Sequence, residues 1–197
     1  MKITHLFRFL CLVGTLCTGQ LGLGQILLDN PSFEGEPKDA TTPIGWLECE
    51  KGTTPDILPG FWGVYLQPYD GETYVGLITR SNGTWEAIGQ RLKASLKKDD
   101  CYQISLELAY SPAYAGYNEP IKFRLWGGGE RCEKAQLLGE TDPVTNTDWK
   151  LFSFEFTPNK NIRYLIFEAY YDTSKKYTHN GNILIDNISP VRTCPRA

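Results

Sequence analysis

The sequence predicts an all-β protein, a single β-sandwich of the jelly-roll kind, and three observations carry that expectation. Apolar residues alternate with polar ones over short runs. Asn-Gly, Asp-Gly and Pro/Gly clusters punctuate those runs, and helical periodicity is nearly absent. With 197 residues, 41% hydrophobic and 13% aromatic, the chain can bury one sizeable core but hardly two.

The first residues read as an address. Lys2, His5 and Arg8 lead into an apolar run from Phe9 to Leu23, and Gly22-Leu23-Gly24 offers the small residues a signal peptidase needs. Residues 1–24 are therefore expected to be a signal peptide and residues 25–197 a single secreted domain. Gly14, Thr15, Gly19 and Gln20 interrupt the run and argue against a membrane anchor, and no second run approaches the ~20 residues that span a bilayer. Removing residues 1–24 takes away Lys2 and Arg8, so 20 basic residues fall to 18 against 23 acidic ones, a net charge of −5. With no basic block either, nucleic acid is not an expected partner.

Four cysteines remain: Cys49, Cys101, Cys132 and Cys194. An even number on an exported chain favours two disulfides, and all three pairings stay open. Their spacing fits no zinc pattern, and the domain has a single histidine, His179.

In order, Ile26-Leu27-Leu28 leads into Asn30-Pro31-Ser32-Phe33-Glu34-Gly35, followed by a Pro/Gly-rich loop from Glu36 to Gly63 crossed by one short strand at Gly45–Glu48. Strands are expected over Thr73–Ile78 and Trp85–Leu92. Lys93–Asp99 is the one candidate helix, short and highly charged. In the strand Cys101–Tyr110, Tyr102, Ile104, Leu106, Leu108 and Tyr110 share one face, the alternation of a half-buried antiparallel strand. Further rows are Ile121-Phe123-Leu125, Phe152-Phe154-Phe156 and Leu165-Phe167-Ala169-Tyr171. Asn182–Ile188 closes the series after the Asn180-Gly181 turn, giving roughly eight or nine strands. Asp186 stands inside this last apolar strand, where an unpaired carboxylate would cost several kcal/mol, so it needs a partner or an exposed face.

Catalytic arrangements are poorly supplied. His179 has no nucleophile in a recognisable context, and Ser111 and Ser153 lie on no Gly-x-Ser-x-Gly elbow. Gly127-Gly128-Gly129 follows a strand but opens no helix, which does not suit phosphate binding. Glu107 and Glu168 sit on polar strand faces and read as solvated residues. As a pair they would make a glycosidase only if their carboxyls lay about 5–10 Å apart.

Aromatic residues suit sugar binding better, because sugars offer apolar C–H faces to rings and hydroxyls to polar groups. Tyr110, Tyr114 and Tyr117 cluster near one loop, Tyr170, Tyr171 and Tyr177 near a second, and Trp62, Tyr65 and Tyr69 in a third. Trp126 is the best single candidate, since alternation puts it on the face of Lys122 and Arg124.

Several segments resemble, in order, the galactose-binding-like jelly rolls that include bacterial carbohydrate-binding modules. They are Asn30-Pro31-Ser32-Phe33-Glu34-Gly35 with Gly45-Trp46, Asp70-Gly71-Glu72-Thr73-Tyr74-Val75-Gly76-Leu77, Gln90-Arg91-Leu92, Cys101-Tyr102-Gln103-Ile104-Ser105 and Ile185-Asp186-Asn187-Ile188. Thr54-Pro55-Asp56 and Trp126-Gly127-Gly128 look more like secreted or cell-envelope domains of Gram-negative bacteria. The resemblance implies a structural calcium joining the first strand region to the last, with Glu34 and Asp186 as the matching carboxylates and other oxygens completing the shell. It also implies a non-catalytic protein that binds a polysaccharide or other glycan, but no sugar-binding motif of the family is matched. The candidate contacts come from ring clustering and strand faces instead: stacking by Trp126, Tyr114, Tyr117 and Tyr170, with polar support from Arg124 and Glu107. The alternative is a cell-envelope adhesion domain that contacts a surface protein.

Overall fold

The computed structural model of the protein describes residues 24–171 and 180–195. The expected signal peptide up to residue 23, Tyr177 and His179 lie outside the described residues. Twelve strands run through the described residues: β1 (Leu47–Glu48), β2 (Asp56–Leu58), β3 (Tyr74–Thr79), β4 (Ala87–Leu96), β5 (Tyr102–Ala109), β6 (Glu119–Pro120), β7 (Lys122–Gly128), β8 (Gln136–Glu140), β9 (Lys150–Phe156), β10 (Ile162–Tyr170), β11 (Gly181–Asp186) and β12 (Arg192–Thr193).

They form two facing sheets, one of five strands in the order β1-β4-β10-β7-β8 and one of seven along β12-β5-β11-β3-β2, with β9 on β5 and β6 on β11. All pairings are antiparallel except the short β6–β11 contact. The expected β-sandwich is therefore present. Strand alternation builds its core: Ile104, Leu106 and Leu108 of β5, Phe123 and Leu125 of β7, Leu165 and Phe167 of β10, and Ile183 and Ile185 of β11 all point between the sheets. Phe33 and Trp46, from the segment before β1, close one side, Phe33 packing on Trp46 and Trp46 on Phe167.

Residues Lys93–Leu96 are not helical. They continue β4, with Leu92 and Leu96 buried in the core, and Leu96 is held in register with Ile162 of β10. Sheet pairing here overrides a weak local preference. Strands β2, β8 and β12 fall in stretches where the sequence shows no clear alternation, and hydrogen bonding to β3, β7 and β5 makes them.

The larger sheet has a second, smaller core on its outer side. Leu58, Val64, Tyr74, Ile78, Ala109, Tyr114 and Leu184 pack there beneath loop 59–72, with Phe61, Leu66, Tyr117 and Trp149 at its margin. This cover explains why β3 and β11 are buried on both faces.

The disulfides are Cys49–Cys132 and Cys101–Cys194, spanning 83 and 93 positions. Cross-links closing loops of this length restrict the unfolded chain strongly. Replacing Cys101 and Cys194 by alanine is expected to lower the unfolding free energy by about 2–5 kcal/mol. Urea denaturation with an unchanged midpoint would show that the bridge contributes nothing.

Candidate functional site

On the outer face of the five-stranded sheet, register sets the neighbours. Glu168 of β10 lies between Ala87 of β4 and Arg124 of β7, and Ile166 lies between Gly89 and Trp126. Leu165, Phe167 and Ala169 alternate into the core, so Glu168 and Tyr170 point outward. Glu168 is nonetheless 2% exposed, and the expectation of a solvated residue does not hold. Its carboxylate accepts the indole N–H of Trp126 at 2.6 Å, the indole N–H of Trp85 at 2.8 Å and the Lys134 ammonium at 2.6 Å. Three donors, one of them cationic, offset the desolvation of this charge.

Lys134 also pairs with Glu50, and Arg124 and Lys122 both pair with Glu140. The Arg124 guanidinium lies over the Tyr170 ring, 3.2 Å from its centroid, and Trp85 meets Tyr170 edge-on at 5.4 Å. Stacking and hydrogen bonding thus lock each outward ring, so little side-chain freedom remains for a ligand to freeze.

The Cys49–Cys132 bridge joins the segment that carries Glu50 to the loop that carries Lys134. It passes close to Gly89, where an added Cβ would stand 2.7 Å from the Cys49 sulfur. That approach requires glycine. The face therefore combines half-buried Trp126, Trp85, Tyr170 and Arg124 with a charge-balanced set of polar groups.

The sequence candidates divide between the two sheets. Trp126 shares an outward face with Lys122 and Arg124, as alternation predicts, and Tyr170, grouped by sequence with a different loop, joins them. Glu107, Tyr114 and Tyr117 do not join them. Leu106 and Leu108 enter the core, so Glu107 points to the outer side of the larger sheet, across the sandwich from Glu168. These two carboxylates share no cleft, which removes them as a glycosidase pair. Tyr114 is 1% exposed and donates to the buried Asp56 carboxylate, and Tyr117 packs edge-on against it at 6.2 Å. Both rings serve the smaller core. Tyr171 points into the main core, whereas Trp62, Tyr65 and Tyr69 are exposed on loop 59–72.

Glu34 and Asp186, expected to share a cation, grip one loop from two sides. Asp186 accepts the amides of Tyr69 (2.8 Å) and Asp70 (3.1 Å) on one oxygen and of Asn187 (2.7 Å) on the other. Glu34 accepts the amide of Glu72 at 3.1 Å and of Thr73 at 3.4 Å. Asp70 in turn accepts the Ser32 hydroxyl at 2.7 Å. Burial pushes the Asp186 carboxyl up to about 6, against the pull of these amides and with a further push from Asp70. Glu107, its register partner on β5, is also raised by burial, with the Tyr69 hydroxyl acting the other way.

Three carboxylates around one loop are hard oxygen donors of the type calcium takes. They do not form a closed cage. Among the described residues, the one trio of His, Cys, Asp or Glu whose ligand atoms lie within 4.8 Å of one another is Cys101, Glu155 and Cys194, and its sulfurs form a disulfide.

No family model matches the sequence, nor does any curated protein. Solved structures do match in shape. The CBM22-1 xylan-binding domain of Paenibacillus barcinonensis Xyn10C superposes with a TM-score of 0.55 at 18% identity, covering 88% of this chain and 97% of that domain. The K1 cleaved adhesin domain of Lys-gingipain from Porphyromonas gingivalis superposes at 0.50 with 14% identity, covering 88% and 100%. The K2 domain of Lys-gingipain superposes at 0.52 with 13% identity, covering 84% and 97%. The chain shares the jelly-roll β-sandwich fold of these domains. That jelly roll also serves adhesin domains, so the shape leaves the ligand to be argued from side chains.

Trp85, Glu50 and Lys134 were not singled out by sequence reasoning. Only the turn at Asn82-Gly83 just before Trp85 hints that this ring opens a strand, and nothing local marks Lys134. Glu168→Ala is expected to cost about 1–3 kcal/mol, because it leaves two indole N–H groups without their acceptor and takes from Lys134 one of its two carboxylate partners. Chemical denaturation followed by tryptophan emission reads this. A variant as stable as the parent, with the same emission, would contradict the arrangement.

Proposed function

We propose that the protein is a secreted, non-catalytic glycan-binding domain whose ligand lies on the outer face of the five-stranded sheet. One observation carries the reading: Trp126 and Tyr170 are held half-exposed beside Arg124, each fixed by a buried carboxylate or a stacked guanidinium. Rings stack on sugar C–H faces, and the polar rim supplies donors and acceptors for hydroxyls. The cations of this face are ion-paired to Glu50, Glu140 and Glu168, which favours an uncharged polysaccharide. The two disulfides suit an oxidising compartment.

Xylan, cellulose-type and other neutral glucans form the first test panel, by affinity electrophoresis and calorimetry. Trp126→Ala and Arg124→Ala are each expected to weaken binding about tenfold, the equivalent of about 1.4 kcal/mol. Retention of no glycan across a broad array would overturn the reading.

Loop 59–72 supports a second reading, contact with a surface protein. Trp62, Tyr65 and Tyr69 are 45%, 70% and 53% exposed, while Phe61, Val64 and Leu66 anchor the same loop. Loss of cell-surface adhesion on Trp62→Ala with Tyr65→Ala, and not on Trp126→Ala, would favour it.

We also propose that calcium stabilises the loop at 69–73, with Glu34, Asp70 and Asp186 as the side chains that would hold it. It would supply positive charge where the buried Asp186 and the exposed Glu34 are held by backbone amides. Adding calcium to chelator-treated protein is expected to raise the melting temperature by a few degrees, and Glu34→Gln to reduce that response. A melt indifferent to calcium and to chelator would leave the amide clamp as the whole device.

A further inference from the structure

Loop 59–72 covers only part of the larger sheet's outer face. Near the start of β5 that face holds a pocket of about 160 Å³, lined by Gln103, Ser105, Ser153, Ser189 and Arg192 among others. Ile104 and Leu106 point into the core, so this pocket lies on the opposite outer side of the sandwich from Trp126. Register builds it: Ser105 of β5 faces Ser153 of β9, and Gln103 faces Arg192 of β12.

β12 has only two residues, yet it is firmly placed. The Cys101–Cys194 bridge ties its end to the start of β5, and the Cys194 amide donates to the Cys101 carbonyl at 3.0 Å. Ser189 is fixed as well, its hydroxyl accepting the Ser105 amide at 2.9 Å and donating to the Pro190 carbonyl at 3.2 Å. The side chains of Gln103, Ser105, Ser153 and Arg192, in contrast, have no hydrogen-bond or ion-pair partner among the described residues. A guanidinium, an amide and two hydroxyls therefore converge on one space, and no carboxylate lines it.

We infer that this pocket binds the acidic group of a saccharide, a uronate carboxylate or a sulfate ester. Arg192 is the charge partner, and Gln103, Ser105 and Ser153 are further donors. The space is several times that of one water, more than a bare oxyanion requires, and it admits part of the ring that carries the acid. Glu155, in register with Gln103 across β9, is exposed and opposes the anion. This site is independent of the neutral-glycan face proposed above.

The test is calorimetric titration of the protein at low salt with four probes: a uronate oligosaccharide, a sulfated oligosaccharide, a neutral xylo-oligosaccharide and sodium sulfate. At least one acidic oligosaccharide should bind, more weakly as salt rises. Arg192→Gln should weaken that binding about tenfold, Ser153→Asp should abolish it, and Glu155→Gln should tighten it. The better of the two acidic probes identifies the acid. Neutral-oligosaccharide binding should be unchanged in Arg192→Gln, which separates failure here from failure of the five-stranded face. The inference is overturned if no acidic probe binds, if Arg192→Gln binds them as the parent does, or if sodium sulfate binds as tightly as the oligosaccharides.

Discussion

Much of this architecture depends on how a buried carboxylate in a central strand is satisfied. Asp186 ends β11 with no measurable exposure and faces Glu107 on the neighbouring strand, an arrangement of like charges that ordinarily destabilises a sheet. It is offset by backbone amides. The N–H groups of Tyr69 and Asp70 converge on one oxygen, and Glu34 grips Glu72 and Thr73 from the other side of the same loop. An acid on the outer side of one sheet thus fixes the C-terminal end of loop 59–72. That loop in turn closes the smaller core over Tyr74 and Leu184. Satisfying one charge and covering one sheet face are the same event.

Glu168 plays the corresponding part on the other sheet, with side chains in place of amides. Its donors come from three separate segments: Trp85 before β4, Trp126 in β7 and Lys134 in the loop before β8. Its cost of burial is met only when all three segments are in place, so the carboxylate reports on, and enforces, the geometry of the whole face. This explains how half-exposed rings can be rigid. It also explains why a residue expected from the sequence to be solvated is better described as a positioning residue, since its hydrogen-bond donors are the ring and ammonium groups of the face itself.

Much of the fold was legible because strand alternation is a local signal. Tyr102 to Leu108, Phe123 and Leu125, and Leu165 to Ala169 face the core as their spacing requires. The failures have physical causes. Lys93–Leu96 looked weakly helical, but its register with β10 decides its state. β8 exists through pairing with β7, the strand just before it, and β12 through pairing with β5, far earlier in the chain. At the site, alternation put Trp126 and Arg124 on one outward face, and the structure agrees. Alternation says nothing about which sheet a strand joins, so Glu107, Tyr114 and Tyr117 were grouped with residues that lie across the sandwich. Trp85 and Lys134 reach Glu168 only through tertiary contacts.

The two outer faces are therefore unequal by construction. The five-stranded face carries half-buried aromatic residues braced by hydrogen bonds and a stacked guanidinium, while the larger sheet uses most of its outer aromatic residues to hold a loop. Each disulfide stands beside a polar feature of its own face, Cys49–Cys132 beside Glu50 and Lys134, and Cys101–Cys194 beside Arg192 and Gln103. If these bridges served global stability alone, their positions relative to the outer faces would be arbitrary. Both instead pin short or loop segments that bear charged side chains and have little packing of their own. Segments of that kind open at low cost unless they are tethered. Covalent tethering thus fixes, at each outer face, a segment that carries a cation: Lys134, half-buried and ion-paired, on the five-stranded side and Arg192, exposed, on the other.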